Sequence, residues 1–145
     1  MKIISSCILA SSLIAGASFA KTCEVNVEAT DAMSFKTKSI SAAGCSEVKL
    51  TLKHTGKLPK AAMGHNLVIA AESSAKDVIA AAMKSGPAKD DAPDAKDIIA
   101  GTKLLGGGES DTITFATSKF KKGTKYKFFC TFPGHSSVMS GDVSI

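Results

Sequence analysis

The sequence has no tryptophan and one tyrosine, and aromatic residues make up only 6% of its 145 positions. Its core must therefore be mostly aliphatic. Low-complexity tracts and internal repeats are absent, which excludes a repeat architecture. There is also no Arg-rich arm of the kind that binds nucleic acid. Only three histidines occur, so any site that needs histidine has few candidates.

The first twenty residues differ from the rest of the chain. Lys2 gives a positive start, and residues 3–20 form an uncharged, largely apolar run that ends Ala-Ser-Phe-Ala. This pattern is typical of a secretory signal peptide that is cleaved before Lys21. An uncleaved membrane anchor is the alternative, since the run is nearly long enough to span a bilayer. Its serines and small-residue ending favour cleavage, which gives a signal peptide over 1–20 and one domain over 21–145.

The predicted domain is moderately basic. Without residues 1–20 it keeps 17 lysines against 13 acidic residues, a formal charge of +4. This charge fits either a solvated surface with extra lysines or a preference for acidic partners. Because the protein is predicted to be exported, we expect no nucleic-acid partner and no membrane association after cleavage.

Apolar residues recur at every second position in several short segments. This alternation predicts strands over 23–29, 46–54, 111–116 and 124–130, with shorter extended segments over 33–40, 98–104 and 141–145. A continuous apolar run over 65–71 predicts a strand that is covered on both faces. Many short strands with turns between them indicate an all-β sandwich.

One segment has helical rather than strand spacing. An Ala-rich stretch predicts a helix that a serine, Ser73 or Ser74, caps at its start and that Gly86-Pro87 ends. Residues 87–97 are polar and predict a loop. In the final strand, Val143 and Ile145 are predicted to face the core.

The segment from Cys130 to Met139 carries the most informative residues. It reads Cys-Thr-Phe-Pro-Gly-His-Ser-Ser-Val-Met, so a cysteine, His135 and a methionine fall within ten residues. The cysteine ends a predicted strand and the methionine precedes the last one, which brings all three side chains to one end of the sandwich. Thiolate and thioether are soft donors that favour Cu(I), and imidazole binds both copper oxidation states. The segment therefore predicts a type-1 copper site, in which two histidines and a cysteine form a plane with a weak axial methionine.

The second histidine of such a site is His54 or His65. His54 shares its predicted strand face with the apolar residues of 46–54, which indicates a core position. His65 instead follows Gly64 at the start of the buried strand. We therefore predict that His65 is the ligand and that His54 is a buried, hydrogen-bonded structural residue. A single histidine or methionine is more often structural than a ligand. The cysteine, histidines and methionine together, at this spacing, indicate a metal site.

Three cysteines remain once the signal peptide is removed. An oxidising compartment favours pairing, and an odd count leaves one cysteine over. With Cys130 assigned to the metal, Cys23 and Cys45 are predicted to form a disulfide. That bond would stabilise the domain by roughly 3 kcal/mol.

Several longer motifs run through the predicted domain. They are Lys57-Leu-Pro-Lys, Met63-Gly-His-Asn, Thr102-Lys-Leu with the glycines after it, and Tyr126-Lys-Phe-Phe-Cys-Thr-Phe-Pro-Gly-His-Ser. Four residues separate the cysteine from the histidine of the metal segment, and three separate that histidine from the methionine. With these motifs and spacings, residues 21–145 resemble the azurins, a group of the small blue-copper proteins or cupredoxins.

The resemblance implies a Greek-key sandwich of about eight strands with a helical flap and one copper ion per chain. It implies a fifth, weak ligand, the carbonyl oxygen of Gly64. It also implies that Asn66 ties the two ligand loops together and that the N–H of Phe132 donates to the sulfur of Cys130. The two cysteines predicted to pair match the disulfide positions of the group.

The resemblance also implies how electrons leave the site. His135 would reach the surface inside an apolar patch that docks redox partners. The members of this docking patch are Leu58, Met63, Met83, Phe132, Pro133, Gly134 and Val138. Lys57 and Lys60 flank it.

Taken together, these expectations describe a monomeric periplasmic electron carrier. The resemblance implies that its partners are redox proteins such as cytochromes c, a copper nitrite reductase or a peroxidase. A copper enzyme is disfavoured, because only His54 would remain for a second metal centre, so we predict no enzymatic activity. Copper storage or delivery is the alternative function, and zinc could occupy the same ligands.

Overall fold

Two β-sheets form the framework of the domain in the computed structural model, which describes residues 20–86 and 97–145. The strands found there are β1 (Thr22–Thr30), β2 (Ser34–Phe35), β3 (Ser39–Ser41), β4 (Glu47–His54), β5 (Val68–Ala71), β6 (Ile98–Gly101), β7 (Ser110–Ala116), β8 (Tyr126–Phe129) and β9 (Ser140–Ser144). The accompanying helices are α1 (Lys60–Met63) and α2 (Ala75–Ser85).

The sheets have four and five strands. One has the order β2-β1-β4-β7 and the other the order β3-β9-β8-β5-β6. β1 pairs with β4 and β3 with β9 in parallel, and the other pairs are antiparallel. This arrangement confirms the predicted all-β sandwich. The described residues form nine strands rather than about eight, because the predicted segment 33–40 divides into β2 and β3, which belong to different sheets.

β4 confirms the predicted alternation most directly. It lies between β1 and β7, so its inward face forms the centre of the core. The residues between the inward positions are exposed or half-buried. Each buried aliphatic side chain contributes about 1.5–3 kcal/mol, which makes this strand an anchor for its sheet. The inward residues, each 0% exposed, are Val48, Leu50, Leu52 and His54.

β5 is covered on both faces, as the apolar run over 65–71 predicts. On the inner side Leu67 and Ile69 join the main core. On the outer side Val68 packs with Val78 of α2 and with Phe129. The helix therefore serves to bury the outer face of this sheet.

α2 departs from the prediction at its start. Ser74 occupies the N-cap position, but its side chain makes no capping hydrogen bond, and a 3-10 turn over Glu72–Ser74 leads into the helix instead. At the other end, the N–H of Gly86 bonds to the Ala82 carbonyl, and the glycine adopts a φ of +69°, which confirms the predicted stop. Of the predicted loop over 87–97, residues 87–96 lie outside the described residues.

The end of the sandwich that lies far from the Cys130–Met139 segment carries the disulfide. Cys23 and Cys45 are joined there, with an S–S distance of 1.97 Å and a Cα–Cα distance of 5.8 Å, which confirms the predicted pair.

Ile145 is 48% exposed, so its predicted inward position is wrong. The reason is that β9 ends at Ser144, and the last residue lies beyond the paired part of the strand.

The predicted signal peptide over 1–20 cannot be compared with the fold, because residues 1–19 lie outside the described residues. Over 20–86 and 97–145, no helix is both long and apolar enough to cross a membrane.

Candidate metal centre

Three buried side chains meet at one end of the sandwich: His65, Cys130 and His135. The Nδ1 atoms of the two histidines are 3.2 Å apart, and the cysteine Sγ is 3.7 Å from Nδ1 of His135. One ligand atom from each residue lies within 4.8 Å of the others, and each residue is at most 3% exposed. Two donors that bind one metal ion at about 2.0 to 2.3 Å lie roughly 3 to 4 Å apart. The observed separations therefore fit donors that share a single ion.

Backbone hydrogen bonds fold the Cys130–Met139 segment into a closed loop. The N–H of Cys130 donates to the Met139 carbonyl at 3.0 Å, and the N–H of Met139 donates to the His135 carbonyl at 2.8 Å. The cysteine directly follows β8 and the methionine directly precedes β9, and these strands are antiparallel neighbours. The loop therefore begins and ends at adjoining strand ends, and the Met139 side chain is fully buried at its base.

His65 comes to the cluster from the segment just before β5, the strand that pairs with β8. Its backbone forms a β-bridge with Leu105, with N–H to carbonyl distances of 3.0 and 2.8 Å. Its Nε2–H donates to the backbone carbonyl of Thr30 at 2.9 Å. Because this bond uses Nε2, the tautomer that it selects leaves the Nδ1 lone pair directed at the other two donors.

His54 is confirmed as a buried, hydrogen-bonded residue of the core. Its Nδ1 accepts the N–H of Gly56 at 3.0 Å, and its Nε2–H donates to the Met63 carbonyl at 2.9 Å. Both ring nitrogens are therefore engaged with backbone groups. The ring stacks on that of His65, with centroids 4.5 Å apart, and so limits the orientation of that imidazole.

Burial keeps both clustered imidazoles neutral. It lowers the pKa of His65 to about 4, although the hydrogen bond to the Thr30 carbonyl opposes the shift. It also lowers the pKa of His135 below its ordinary value. A metal binds the neutral imidazole, so this environment favours the protonation state that binds a metal at neutral pH.

Gly64 brings a backbone carbonyl to the same point. Its oxygen is 3.9 Å from the Cys130 sulfur. A Cβ at this position would lie 2.7 Å from the Lys60 carbonyl oxygen and 2.9 Å from the Phe132 ring. Only glycine therefore allows the chain to pass this close to the donors.

Asn66 bridges the segment of His65 to the loop of Cys130. Its Oδ1 accepts the N–H of Thr131 at 2.8 Å, and its Nδ2–H donates to the Thr131 hydroxyl at 2.7 Å. Both residues are buried. The two bonds fix the distance between ligand-bearing segments that are far apart in the sequence.

The predicted docking patch consists of accessible residues. Phe132 is the member with a ring contact at the cluster, since its centroid is 4.6 Å from that of His135. Met83 lies on the exposed side of α2. Leu58, Met83 and Val138 are 41%, 59% and 53% exposed, Pro133 and Gly134 are exposed, and Met63 and Phe132 are half-buried.

Two residues at the centre were missed by sequence reasoning. Thr131 stands beside Cys130, and a polar side chain next to a buried donor was the available signal. Thr30 acts through its backbone carbonyl, so its side-chain identity carries no signal for this role.

The donor set fits copper on chemical grounds. Two imidazoles and a buried cysteine match the equatorial ligands of an electron-transfer copper site. Met139, buried on the same loop, would add the soft thioether that such sites use as a weak axial ligand.

Comparison with known proteins also indicates a copper-binding protein. Residues 21–145 match the family model for copper binding proteins of the plastocyanin/azurin family. The azurin of Alcaligenes faecalis is 48% identical over 126 residues, which cover 85% of this chain and 98% of that protein. The azurin of Pseudomonas aeruginosa is 42% identical over 136 residues, or 92% of each.

The fold is also similar to a solved structure, that of the azurin Az-iso2 from the obligate methylotroph Methylomonas sp. strain J. The TM-score is 0.80 at 37% identity, with 84% of this chain and 96% of that one covered. Since the family model spans residues 21–145 and the donor set at one end of the sandwich fits copper, the chain belongs to the plastocyanin/azurin family of copper-binding proteins.

Proposed function

We propose that this protein is an exported electron carrier with a single type-1 copper site. The residues that would hold the metal are His65, Cys130, His135 and Met139, with the Gly64 carbonyl as a further, weak ligand. The observation that carries this proposal is the meeting of two imidazole nitrogens and one thiol sulfur within 4.8 Å in a buried site. Copper, when bound, supplies one-electron chemistry between Cu(II) and Cu(I).

The fold holds the proposed ligands in positions that are expected to change little between Cu(II) and Cu(I). The loop is closed by the hydrogen bonds of Cys130 and Met139, and His65 is held by the Thr30 carbonyl. Ligands that are fixed by the fold need little rearrangement when the metal charge changes, which favours fast electron transfer. Asn66 supports this rigidity through its two bonds to Thr131.

Hydrogen bonding at the sulfur is part of the same proposal. The N–H of Phe132 donates to the Cys130 sulfur and so tunes the reduction potential. The Phe132 carbonyl accepts the N–H of His135 at 3.0 Å, which supports a position of Phe132 close to the proposed ligands.

Electrons pass through His135 to partners that dock on the apolar patch around it. The ring contact between Phe132 and His135 supports this route, because it joins a half-buried patch residue to a ligand. A small apolar contact around one ligand suits weak, short-lived complexes. The partners are redox proteins such as cytochromes c, a copper nitrite reductase or a peroxidase, and the protein acts as a monomer.

The protein works in the periplasm after removal of residues 1–20. The family match begins at residue 21, which supports a boundary at that point. The disulfide between Cys23 and Cys45 also suits an oxidising compartment.

The protein is a carrier rather than an enzyme. His54, the histidine left over by the proposed ligand set, is engaged at both ring nitrogens by backbone groups. It is therefore not available to a second metal centre. Copper storage or delivery is the alternative function, and it requires no reversible redox couple.

A redox titration combined with elemental analysis separates these functions. For a carrier we expect about one copper per chain and a reversible one-electron couple. Copper without a reversible couple would favour storage or delivery. Zinc in the site of the protein as isolated from its periplasm would contradict the copper assignment.

A further inference from the structure

His65 depends on a backbone carbonyl from a distant part of the chain. Its Nε2–H donates to the Thr30 carbonyl at 2.9 Å. That residue ends β1, and its carbonyl also accepts the N–H of Met33 at 3.1 Å, which closes a turn over 30–33. The position of this turn therefore helps to set the direction of the imidazole.

The turn contains a strained residue. Met33 has a φ of +54°, and it is the sole non-glycine residue with a positive φ in the described ranges. Such a conformation persists only where the surroundings enforce it. Within the turn, the Thr30 hydroxyl accepts the N–H of Ala32 at 3.3 Å and contacts the Ser34 hydroxyl at 3.0 Å. These internal bonds define the shape of the turn, but they do not attach it to the segment that leads to His65.

Asp31 makes that attachment. Its two carboxylate oxygens accept the N–H of Lys57 at 2.7 Å and the N–H of Leu58 at 3.3 Å. Gly56 leaves room for this contact, because a Cβ there would overlap the carboxylate. The N–H of Lys57 is also the main reason that the pKa of Asp31 lies below its ordinary value.

We propose that Asp31 is a positioning residue for His65. By holding the turn over 30–33 against the segment 56–58, it fixes the Thr30 carbonyl, which in turn orients the imidazole toward Cys130. This inference rests on the ligand role of His65 in the proposed function. The Asp31 carboxylate lies 3.9 Å from Nε2 of His54, which is not one of the clustered donors, and Asp31 therefore acts on His65 through the backbone and not by ligation.

The chemistry of the contact supports this role. Hydrogen bonds from backbone N–H groups to a carboxylate are shorter and stronger than those between neutral groups. The Asp31 side chain is 34% exposed, so its removal leaves the core intact and the variants are expected to fold.

Two variants and a control test the proposal. Asp31→Ala removes both acceptor oxygens. Asp31→Asn removes the charge but keeps an oxygen that can accept the short bond from Lys57. Glu24→Gln, in β1, removes an equal charge from an exposed ion pair with Lys49 at 3.2 Å and is the matched control.

The readout is hydrogen exchange in the metal-free protein. Nuclear magnetic resonance of the His65 Nε2–H reports how firmly the Thr30 carbonyl holds the ring. In Asp31→Ala we expect its exchange to accelerate about tenfold or more, the change that follows from losing a hydrogen bond to a charged group. In Asp31→Asn, which keeps a neutral and therefore weaker acceptor for the Lys57 N–H, the acceleration is expected to be clearly smaller than in Asp31→Ala. In Glu24→Gln the rate is expected to stay within about threefold of the wild type. The backbone N–H of Leu50 in β4 reports global opening and is expected to remain unchanged.

Two results would overturn the proposal. One is an exchange rate in Asp31→Ala within about twofold of the wild type. The other is an equal acceleration in Asp31→Ala and Asp31→Asn, since charge alone would then explain it. Because the measurement needs no copper, it decides the role of Asp31 separately from the electron-carrier function, which the spectrum of the copper-loaded wild type tests.

Discussion

The Nδ1 atoms of His65 and His135 lie 3.2 Å apart and share one buried point with the Cys130 sulfur. In the metal-free protein the Nδ1 of His65 is an acceptor, because its Nε2 carries the proton that is donated to the Thr30 carbonyl. A neutral His135 can therefore donate its Nδ1–H across this contact. A bound metal ion would take the place of that proton, so the two donors are already held together before metal binding.

The metal-free protein is expected to lose stability as the pH falls from about 6.5 to about 4. Burial lowers the pKa of His65 to about 4 and lowers that of His135 as well. Within that window the unfolded chain binds protons that the folded chain does not, so acid favours unfolding. His65 alone would change the free energy of unfolding by roughly 3 kcal/mol across it. Urea unfolding curves at several pH values measure this change.

The copper-loaded protein supplies the control for the pH experiment. Bound metal keeps both imidazoles unprotonated, so its stability is expected to depend less on pH in the same window. The pKa values of Asp31 and Glu28 are lowered, so the stability that their ionised carboxylates contribute is present at neutral pH and is lost mainly at pH values below this window. A metal-free protein with constant stability from about pH 6.5 to about pH 4 would contradict the buried neutral state of His65.

Asn66→Ala is expected to loosen the metal site. It removes both hydrogen bonds to Thr131 and leaves the buried N–H of that residue without the acceptor that it has here. The free energy of unfolding should fall by about 2 to 4 kcal/mol, as measured by denaturant titration. In a double-mutant cycle with Thr131→Val, which removes the hydroxyl, the two effects should be coupled by about 1 kcal/mol. Simple additivity would mean that the bridge does not act as a unit.

Met63→Glu is expected to slow electron exchange with redox partners while the colour of the oxidised protein stays unchanged. The charge enters the docking patch, whereas Met63 contributes only its backbone carbonyl to His54. Stopped-flow mixing with a cytochrome c measures the rate. Ile145→Glu places the same charge on an exposed apolar residue at the disulfide end and should leave the rate unchanged. Equal rates for Met63→Glu and the wild type would argue against docking at this patch.

Replacing both Cys23 and Cys45 with serine is expected to reduce the free energy of unfolding by about 3 kcal/mol. The bond closes a loop with a sequence separation of 22 residues at the end of the sandwich away from the donors. The visible spectrum of the copper-loaded variant should therefore match that of the wild type. Mass measurement with and without reductant gives an independent check, and three reduced thiols in the exported protein would contradict the pairing.

The strands could be predicted from the sequence because the sheets are amphipathic. β4 alternates between buried and exposed positions, and the register with β1 and β7 follows that pattern. The short strands β2 and β3 were merged, since two or three residues are too few for a periodic signal. α1 was missed for the same reason, as it spans one helical turn.

The donor site could be predicted because Cys130, His135 and Met139 lie within ten residues of one another in the sequence. Their thiol, imidazole and thioether groups are the donors that copper prefers. Strand phase separated His54 from His65, and the structure bears out the core position of His54. The contacts that hold the donors could not be predicted in this way. The Thr30 carbonyl contacts His65 across a separation of 35 residues, and the Asp31 carboxylate contacts the Lys57 N–H across 26 residues. In each contact one partner is a backbone group, and backbone groups carry no sequence signature.

The central claim is that Cys130 and the two histidines hold a type-1 copper. The most direct measurement is the visible and paramagnetic-resonance spectrum of the copper-loaded domain over 21–145. We predict an intense blue colour in the oxidised protein that disappears on reduction and is absent from Cys130→Ser, because the colour requires a copper–thiolate bond. A colourless Cu(II) form of the wild type would contradict the claim.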